Sequence, residues 1–241
     1  MIILQIVVLL GAIYIGVRLG GIGIGYAGGA GVLVLGLCLG MKPGNIPWDV
    51  IMIIGSVIAA ISAMQLAGGL QYLVYIAEKI LYKNPKYINY LAPIVTYVLT
   101  IFAGTGHTAF SMIPVIVEVA KGENIRPSVP LSMSVVSSQI AITASPVSAA
   151  AIFMTGALEP FGWSYPTLLG IWLLTTFAGC MLTAFIMTHI SKLDLSEDPI
   201  YQERLKEGLV KPPVGLQEMV ITPTAKLSVW IFLTGVLCVV F

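Results

Sequence analysis

Charge is what this sequence has least of. Lys, Arg, Asp and Glu make up 10% of its 241 residues, against about 25% in an ordinary soluble domain. The 12 basic and 11 acidic side chains nearly cancel, for a net charge of +1. That leaves no basic face for nucleic acid and no basic amphipathic stretch to dock on a membrane surface. Histidine is as scarce: His107 and His189 stand far apart, with no carboxylate beside either, and make no metal site. Cys38, Cys180 and Cys238 each sit singly in an apolar run, which reads as small buried hydrophobes and not as disulfide or metal chemistry. No Ser-His-Asp order, carboxylate pair or Cys/His cluster offers the parts of an enzyme, and no cofactor is implied. Met1 leads straight into apolar residues without a basic n-region or a small-residue cleavage site, so the first run reads as a retained span.

Apolar residues fill the space that charge leaves, at 58% of the chain with a mean hydropathy of +0.97. The fold class expected is all-α and integral to a membrane. Set against a rise of about 1.5 Å per residue and a hydrocarbon core of about 30 Å, the apolar runs give spans over residues 2–17, 21–41 and 48–67. Gly68-Gly69 breaks the chain, and 71–82 reads as a short helix at the surface. Residues 90–120 are the odd segment, because one straight helix of that length would be about 46 Å long. Divided at Gly104-Thr105-Gly106-His107, the segment becomes two arms of about 21 and 20 Å, each able to reach the midplane. Residues 131–158 are also overlong and are broken at Ser145-Pro146, while 164–190 make an ordinary span. The organisation expected is a membrane domain at 1–190, a polar linker at 191–226 and the start of a truncated span at 227–241.

Basic residues decide between a crossing and a hairpin at 90–120. With the amino terminus outside and a re-entrant hairpin, every basic residue except Lys42 falls on the cytoplasmic side. A single crossing would put Lys121, Arg126 and everything from Lys192 to Lys226 outside. The positive-inside rule favours the hairpin.

Non-helical chain survives at membrane depth only where protein or a polar cavity satisfies its backbone, and paired broken helices point to a transporter's substrate site. In the first break, Gly104 and Gly106 let the chain reverse, Thr105 and Thr108 offer hydroxyls, and the arm starting near His107 presents its first N–H groups to an anion. His107 reads either as a proton-coupling group or as a neutral donor holding the tip together. In the second break, within Thr143-Ala144-Ser145-Pro146-Val147-Ser148, Ser145 fits a helix N-cap and Pro146 the first helical position. A polar run through Ser132, Ser134, Ser137, Ser138, Gln139, Thr143, Ser145 and Ser148, hydroxyls apart from one amide, makes this segment too polar for a simple proline kink. The candidate substrate-binding residues are thus Gly104, Thr105, Gly106, His107, Thr108, Thr143, Ser145, Pro146 and Ser148. Elsewhere, Gly23-Ile24-Gly25-Tyr26-Ala27-Gly28 fits a dinucleotide-binding pattern but lies inside an apolar run. Gly21/Gly25/Gly29 and Gly36/Gly40 read instead as small residues for close helix packing. Glu118 reads as an interfacial partner of Lys121, and Asp194 to Glu218 as a solvated linker helix.

Arg18-Leu19-Gly20-Gly21-Ile22-Gly23, Ala67-Gly68-Gly69-Leu70, Asn84-Pro85-Lys86-Tyr87, Phe102-Ala103-Gly104-Thr105-Gly106-His107 and Ala144-Ser145-Pro146-Val147-Ser148 together resemble the Dcu family of anaerobic C4-dicarboxylate transporters. That family lies within the ion-transporter superfamily of inverted repeats with re-entrant hairpins. The resemblance implies secondary transport of fumarate, succinate, malate and aspartate by uptake, efflux or exchange across the bacterial inner membrane. The amino terminus is then periplasmic, and the coupling ion is open between proton and sodium. It also implies that this chain is the amino-terminal half, one unit of an inverted repeat. Its partners are then C4-dicarboxylate anions, the lipid bilayer, a missing carboxy-terminal repeat and, in a homo-oligomer, further copies. The alternatives are a carrier for another organic or inorganic anion and a non-transporting membrane subunit.

Overall fold

The computed structural model describes residues 2–20, 22–42, 44, 48–106, 108–191, 194–210 and 221–240. His107 lies outside them, as do 211–220 of the polar linker. The described residues are helical almost throughout and carry no strand, only an isolated bridge between Ile125 and Asp194. Four helical stretches are long and apolar enough to cross a bilayer: Ile2–Leu19, Pro85–Ala103, Ser128–Phe161 and Tyr165–Ile190. A bent pair, Ile54–Leu66 with Gly69–Lys83, would make a fifth. The chain is an all-α, multi-pass membrane protein. By contacts it divides into two compact units, residues 1–48 and 49–241.

The first unit is a pair of packed helices, α1 (Ile2–Leu19) and α2 (Gly23–Leu33), the second running on into a π-helical turn at Val34–Cys38. Glycine does set their approach, but at positions the sequence did not mark. A Cβ on Gly31 would fall 2.8 Å from the Ala12 Cβ, and one on Gly16 would fall 3.3 Å from the Ile24 Cα. Gly25 and Gly29 face open space, and Gly21 lies outside the described residues. The reason is rotational: α1 meets the stripe of α2 carrying Ala27 and Gly31, its two buried residues. Ile3, Val7, Leu10 and Val17 are left pointing outward, as suits side chains that meet lipid tails.

The second unit begins within α3 (Trp48–Leu66) and adds α4 (Gly69–Lys83), α5 (Ile88–Ala103) and α6 (Thr108–Gly122). Gly68, in the left-handed region at φ +86°, turns the chain by 69° between α3 and α4. α4, expected as a short surface helix, keeps Gln71, Ile76, Lys79 and Ile80 exposed but is packed along one face. It buries Val74, Ala77 and Leu81 in one cluster with Ile88, Ala92, Val95 and Leu99 of α5 and Met112, Ile116 and Val119 of α6. Side chains spaced three and four apart put that apolar stripe on one face of α4. α6 begins beside the end of α5 and packs against the 3₁₀ turn Pro85–Tyr87 that precedes α5, so the two helices run antiparallel as a hairpin.

α7 (Ser128–Ala141), a 3₁₀ turn at Ile142–Ala144, extended residues at Ser145 and Ser148, and α8 (Ala149–Leu158) form the interrupted segment. α9 (Tyr165–Ile190) packs against α5 and α7, and α11 (Pro223–Val240) against α4. α5 and α7 approach along small hydroxyl residues. Thr96 Oγ1 lies 3.1 Å from the Ser134 carbonyl and Ser137 Oγ donates to the Pro93 carbonyl at 2.8 Å. Small polar side chains let helices close together in lipid and bond across the seam. Cys180 is buried against Tyr97, but Cys38 and Cys238 are exposed, which corrects the expectation that all three are buried.

Between α9 and α11 the described residues are helical over Pro199–Lys206 alone (α10), where Asp198 is the N-cap. Instead of extending into solvent, this segment is docked on the α6–α7 turn. Asn124, at φ +56°, donates from Nδ2 to Asp194 Oδ1 at 2.9 Å, the Leu195 N–H donates to the Asn124 carbonyl at 3.0 Å, and Arg126 pairs with Asp198 at 2.6 Å. Hydrogen bonds from the Ser196 hydroxyl and N–H, joined by Asn124, hold the Asp194 carboxyl below its ordinary range. Partial desolvation pushes Asp198 up, but the Tyr201 and Ile200 N–H groups and the Arg126 guanidinium together outweigh it and hold it low. A depressed folded-state pKa contributes stability above the ordinary carboxylate value, lost as pH falls through the folded value. The clasp should therefore hold from neutral pH down to the ordinary value of 3.8 and open below it. Spin labels at positions 123 and 203 should keep one separation over the upper range and lengthen it at lower pH. Arg126→Gln should broaden that distance distribution already at neutral pH.

Candidate functional site: where the two breaks meet

α5 ends because Gly104 takes up the left-handed conformation, φ +65°, and returns its N–H to the Thr100 carbonyl at 2.8 Å. Glycine suits both demands of this position, since a Cβ there would also stand 3.0 Å from the Val147 carbonyl oxygen. Val147 belongs to the other break, so the two interruptions are in direct contact. A second link fixes their register. Ile101 lies in the last turn of α5, where carbonyls have no intrahelical partner, and Ser145 Oγ donates to its oxygen at 2.6 Å.

That bond explains why the expected cap is displaced. Ser148, and not Ser145, is the N-cap of the next helix, accepting from the Ala151 N–H at 3.1 Å. Ala149, and not Pro146, is its first residue. Ser145 instead turns the chain, accepting from the Val147 N–H at 3.3 Å while its proton goes to Ile101. The Tyr165 hydroxyl at the start of α9 donates to the Pro146 carbonyl and holds the break from its far side.

The first break is closed by hydroxyls. Ser138 Oγ donates to the Gly106 carbonyl at 2.9 Å and Thr108 Oγ1 to the Thr105 carbonyl at 3.2 Å. Thr100 Oγ1 stands 2.9 Å from both hydroxyls. Three hydroxyl protons thus serve four contacts, so one contact lacks a proton at any instant and the tip can exchange arrangements at low cost. Ser138 and Ser145 are 0% exposed, Ser148 1% and Thr108 2%. Of the candidate residues, then, Ser145, Thr108 and Ser148 hold the backbone, and Gly106 is buried with them. Gly104, Thr105 and Pro146 are half-buried and Thr143 is exposed, its hydroxyl turned to the Ile140 carbonyl at 2.8 Å. Ala149 and Ala150 are exposed at the open end of α8. His107 has no described position. A cavity of about 570 Å³ touches this region at Pro146 and Val147, but its other walls are largely apolar side chains of α3 and α11. Among the described residues no group of His, Cys, Asp and Glu is arranged to hold a metal.

Sequence reasoning missed Thr100 and Tyr165. Thr100 had a signal, standing four residues from Thr96 on one face of α5 and opposite the hydroxyl run of α7. Tyr165 had none, since its role depends on where α9 begins to pack.

The starts of α6 and α8 thus follow two breaks that touch through Gly104 on Val147 and Ser145 on Ile101, with no charged side chain among the described residues of either break. Helix starts of this kind carry about half a positive charge each and suit an anion. Residues 1–241 match the family described as anaerobic C4-dicarboxylate membrane transporter. The chain belongs to this family. It is 63% identical to the C4-dicarboxylate transporter DcuA of Helicobacter pylori strain J99 over 237 residues, which cover 98% of this chain and 53% of that protein. It is 63% identical to the Wolinella succinogenes protein of the same name over 241 residues, all of this chain and 55% of that one. The Escherichia coli K12 protein of that name is 55% identical over 240 residues, 55% of its length. The chain thus spans about half the length of these relatives. No solved structure matches it.

Proposed function

We propose that this chain supplies one half of a secondary transporter for C4-dicarboxylates, acting by alternating access across the bacterial inner membrane without covalent chemistry. The observation that carries the reading is the contact between the two breaks, Gly104 on Val147 and Ser145 on Ile101, in a member of a family described as C4-dicarboxylate transporters. The hairpin α5–α6 is re-entrant from the cytoplasm and the amino terminus is periplasmic, which leaves Lys42 as the lone outside basic residue. Substrate carboxylates meet the N–H groups at the starts of α6 and α8, with Gly104, Thr105, Gly106, Thr143 and Pro146 around them, and His107 is a candidate by its place in the sequence. Thr108, Ser145 and Ser148 serve the site by holding those N–H groups in place.

Charge counting supports the substrate class. Two helix starts offset about one negative charge. A second unit of the same kind, for which the length of the relatives leaves room, would bring two more and match a dianion. The test is uptake of labelled fumarate into liposomes holding the full-length protein, with unlabelled competitors. Saturable uptake blocked by succinate and malate but not by sulfate or citrate is expected. No uptake, or stronger competition by sulfate or citrate, would overturn the reading.

A further inference from the structure

Helix-start N–H groups recognise a carboxylate but cannot tell one C4-dicarboxylate from another, because every such substrate offers them the same acceptors. Reading a substituent that is itself a donor, an ammonium or a hydroxyl group, takes an acceptor at the site. Most side-chain oxygens around the breaks are engaged in holding the backbone: Thr100, Thr108, Ser138, Ser145 and Ser148 are buried and bonded, and Thr143 is bonded to its own helix.

Gln139 differs from these. It lies on α7 one residue beyond Ser138, is exposed, and has no hydrogen-bond partner among the described residues. Its neighbours on that face are apolar, with Val136 44% and Ile140 39% exposed. An amide turned into lipid without partners would cost several kcal/mol, so the Gln139 side chain calls for a polar partner beyond the described residues. The amide also lies against the hairpin tip. A Cβ on Gly106 would stand 2.3 Å from Gln139 Nε2 and 3.0 Å from its Oε1. The glycine at 106 therefore leaves room for the end of this side chain, beside the first turn of α6.

We propose that Gln139 is a substrate-contacting specificity residue, its neutral amide reading the substituent between the two carboxylates through Oε1. This rests on the transport reading above. Nε2 can donate to a carboxylate while Oε1 accepts from an ammonium or hydroxyl, so one side chain tells aspartate and malate from succinate. Neutrality matters, since a carboxylate in its place would repel the dianion and a cation would hold every dicarboxylate alike.

The test is inhibition of labelled succinate uptake in liposomes by unlabelled aspartate, malate and succinate. The ratio of inhibition constants within one preparation does not depend on how much protein is folded. Gln139→Leu should weaken aspartate and malate relative to succinate by about tenfold, the loss of one hydrogen bond to a charged or polar partner. Gly106→Ala should shift the ratio the same way, because it displaces the amide. Gln139→Glu should move the aspartate ratio in the opposite direction, since a carboxylate favours the ammonium and disfavours the dianion. Opposite shifts for Leu and Glu are not what a merely structural side chain would give. If the wild type takes up succinate and the three variants keep its ratios within about twofold, Gln139 does not read the substrate, and the transport reading stands. If the wild type takes up no C4-dicarboxylate, both fall.

Discussion

Gly104→Ala should destabilise the protein by about 2 kcal/mol or more and abolish substrate affinity with it. A side chain at φ +65° enters the left-handed region, which alone costs roughly 1–2 kcal/mol. The new Cβ would then stand 3.0 Å from the Val147 carbonyl oxygen and 3.0 Å from its Cγ2. The oxygen is backbone, so relief requires one break to move away from the other. In detergent the unfolding midpoint should fall by roughly 5 °C or more. Gly106→Ala is the control. The atoms nearest its Cβ belong to the end of the flexible Gln139 side chain, so it should shift the midpoint far less while altering substrate preference. If both substitutions lower the midpoint equally, the tip is merely crowded and the contact between breaks has no special place.

The second large effect is expected at Ser145→Ala. Ser145 is 0% exposed and its hydroxyl donates to the carbonyl of Ile101, in the last turn of α5 where carbonyls lack intrahelical partners. Orphaning a buried carbonyl costs about 1–3 kcal/mol. Side-chain hydrogen bonds in membrane proteins average nearer 0.6 kcal/mol, because the unfolded state in lipid also finds partners. The 2.6 Å separation and the second bond from the Val147 N–H place this one toward the upper figure. On the transport reading proposed above, succinate binding should weaken about tenfold, since α8 and the tip lose their common register. The double variant with Gly104→Ala should lose less than the two singles added together, because both act on the same contact. Simple additivity would mean that Ser145 and Gly104 serve separate structures.

The membrane class and both breaks could be read from the sequence because they depend on local quantities: charge density, length against bilayer thickness, and glycine or proline at depth. Contact partners could not. Ser145 and Ser148 are equally good caps on paper, and only the open carbonyl of Ile101 decides which of them caps α8. Gly25 and Gly29 have the spacing of packing glycines, yet α1 turns toward Gly31, a choice made by the facing side chains of α1. α4 read as a short surface helix, and only the fold shows its Val74, Ala77 and Leu81 stripe packed on the hairpin. The hydroxyl run on α7 was visible as composition. That Ser137 and Ser138 hold the backbone while the Gln139 amide lies exposed beside the hairpin tip depends on the rotation of α7 against α5.

The central claim is that both breaks face one substrate, and protection from modification tests it most directly. In the full-length protein with Cys38 and Cys238 replaced by alanine, single cysteines are placed at Thr105, beside the first break, and at Ala149, the exposed start of α8. Each is labelled with a negatively charged thiol reagent against increasing succinate. The account predicts that both are protected, with the same half-saturating concentration. Protection at one position only, at two different concentrations, or at neither would contradict it.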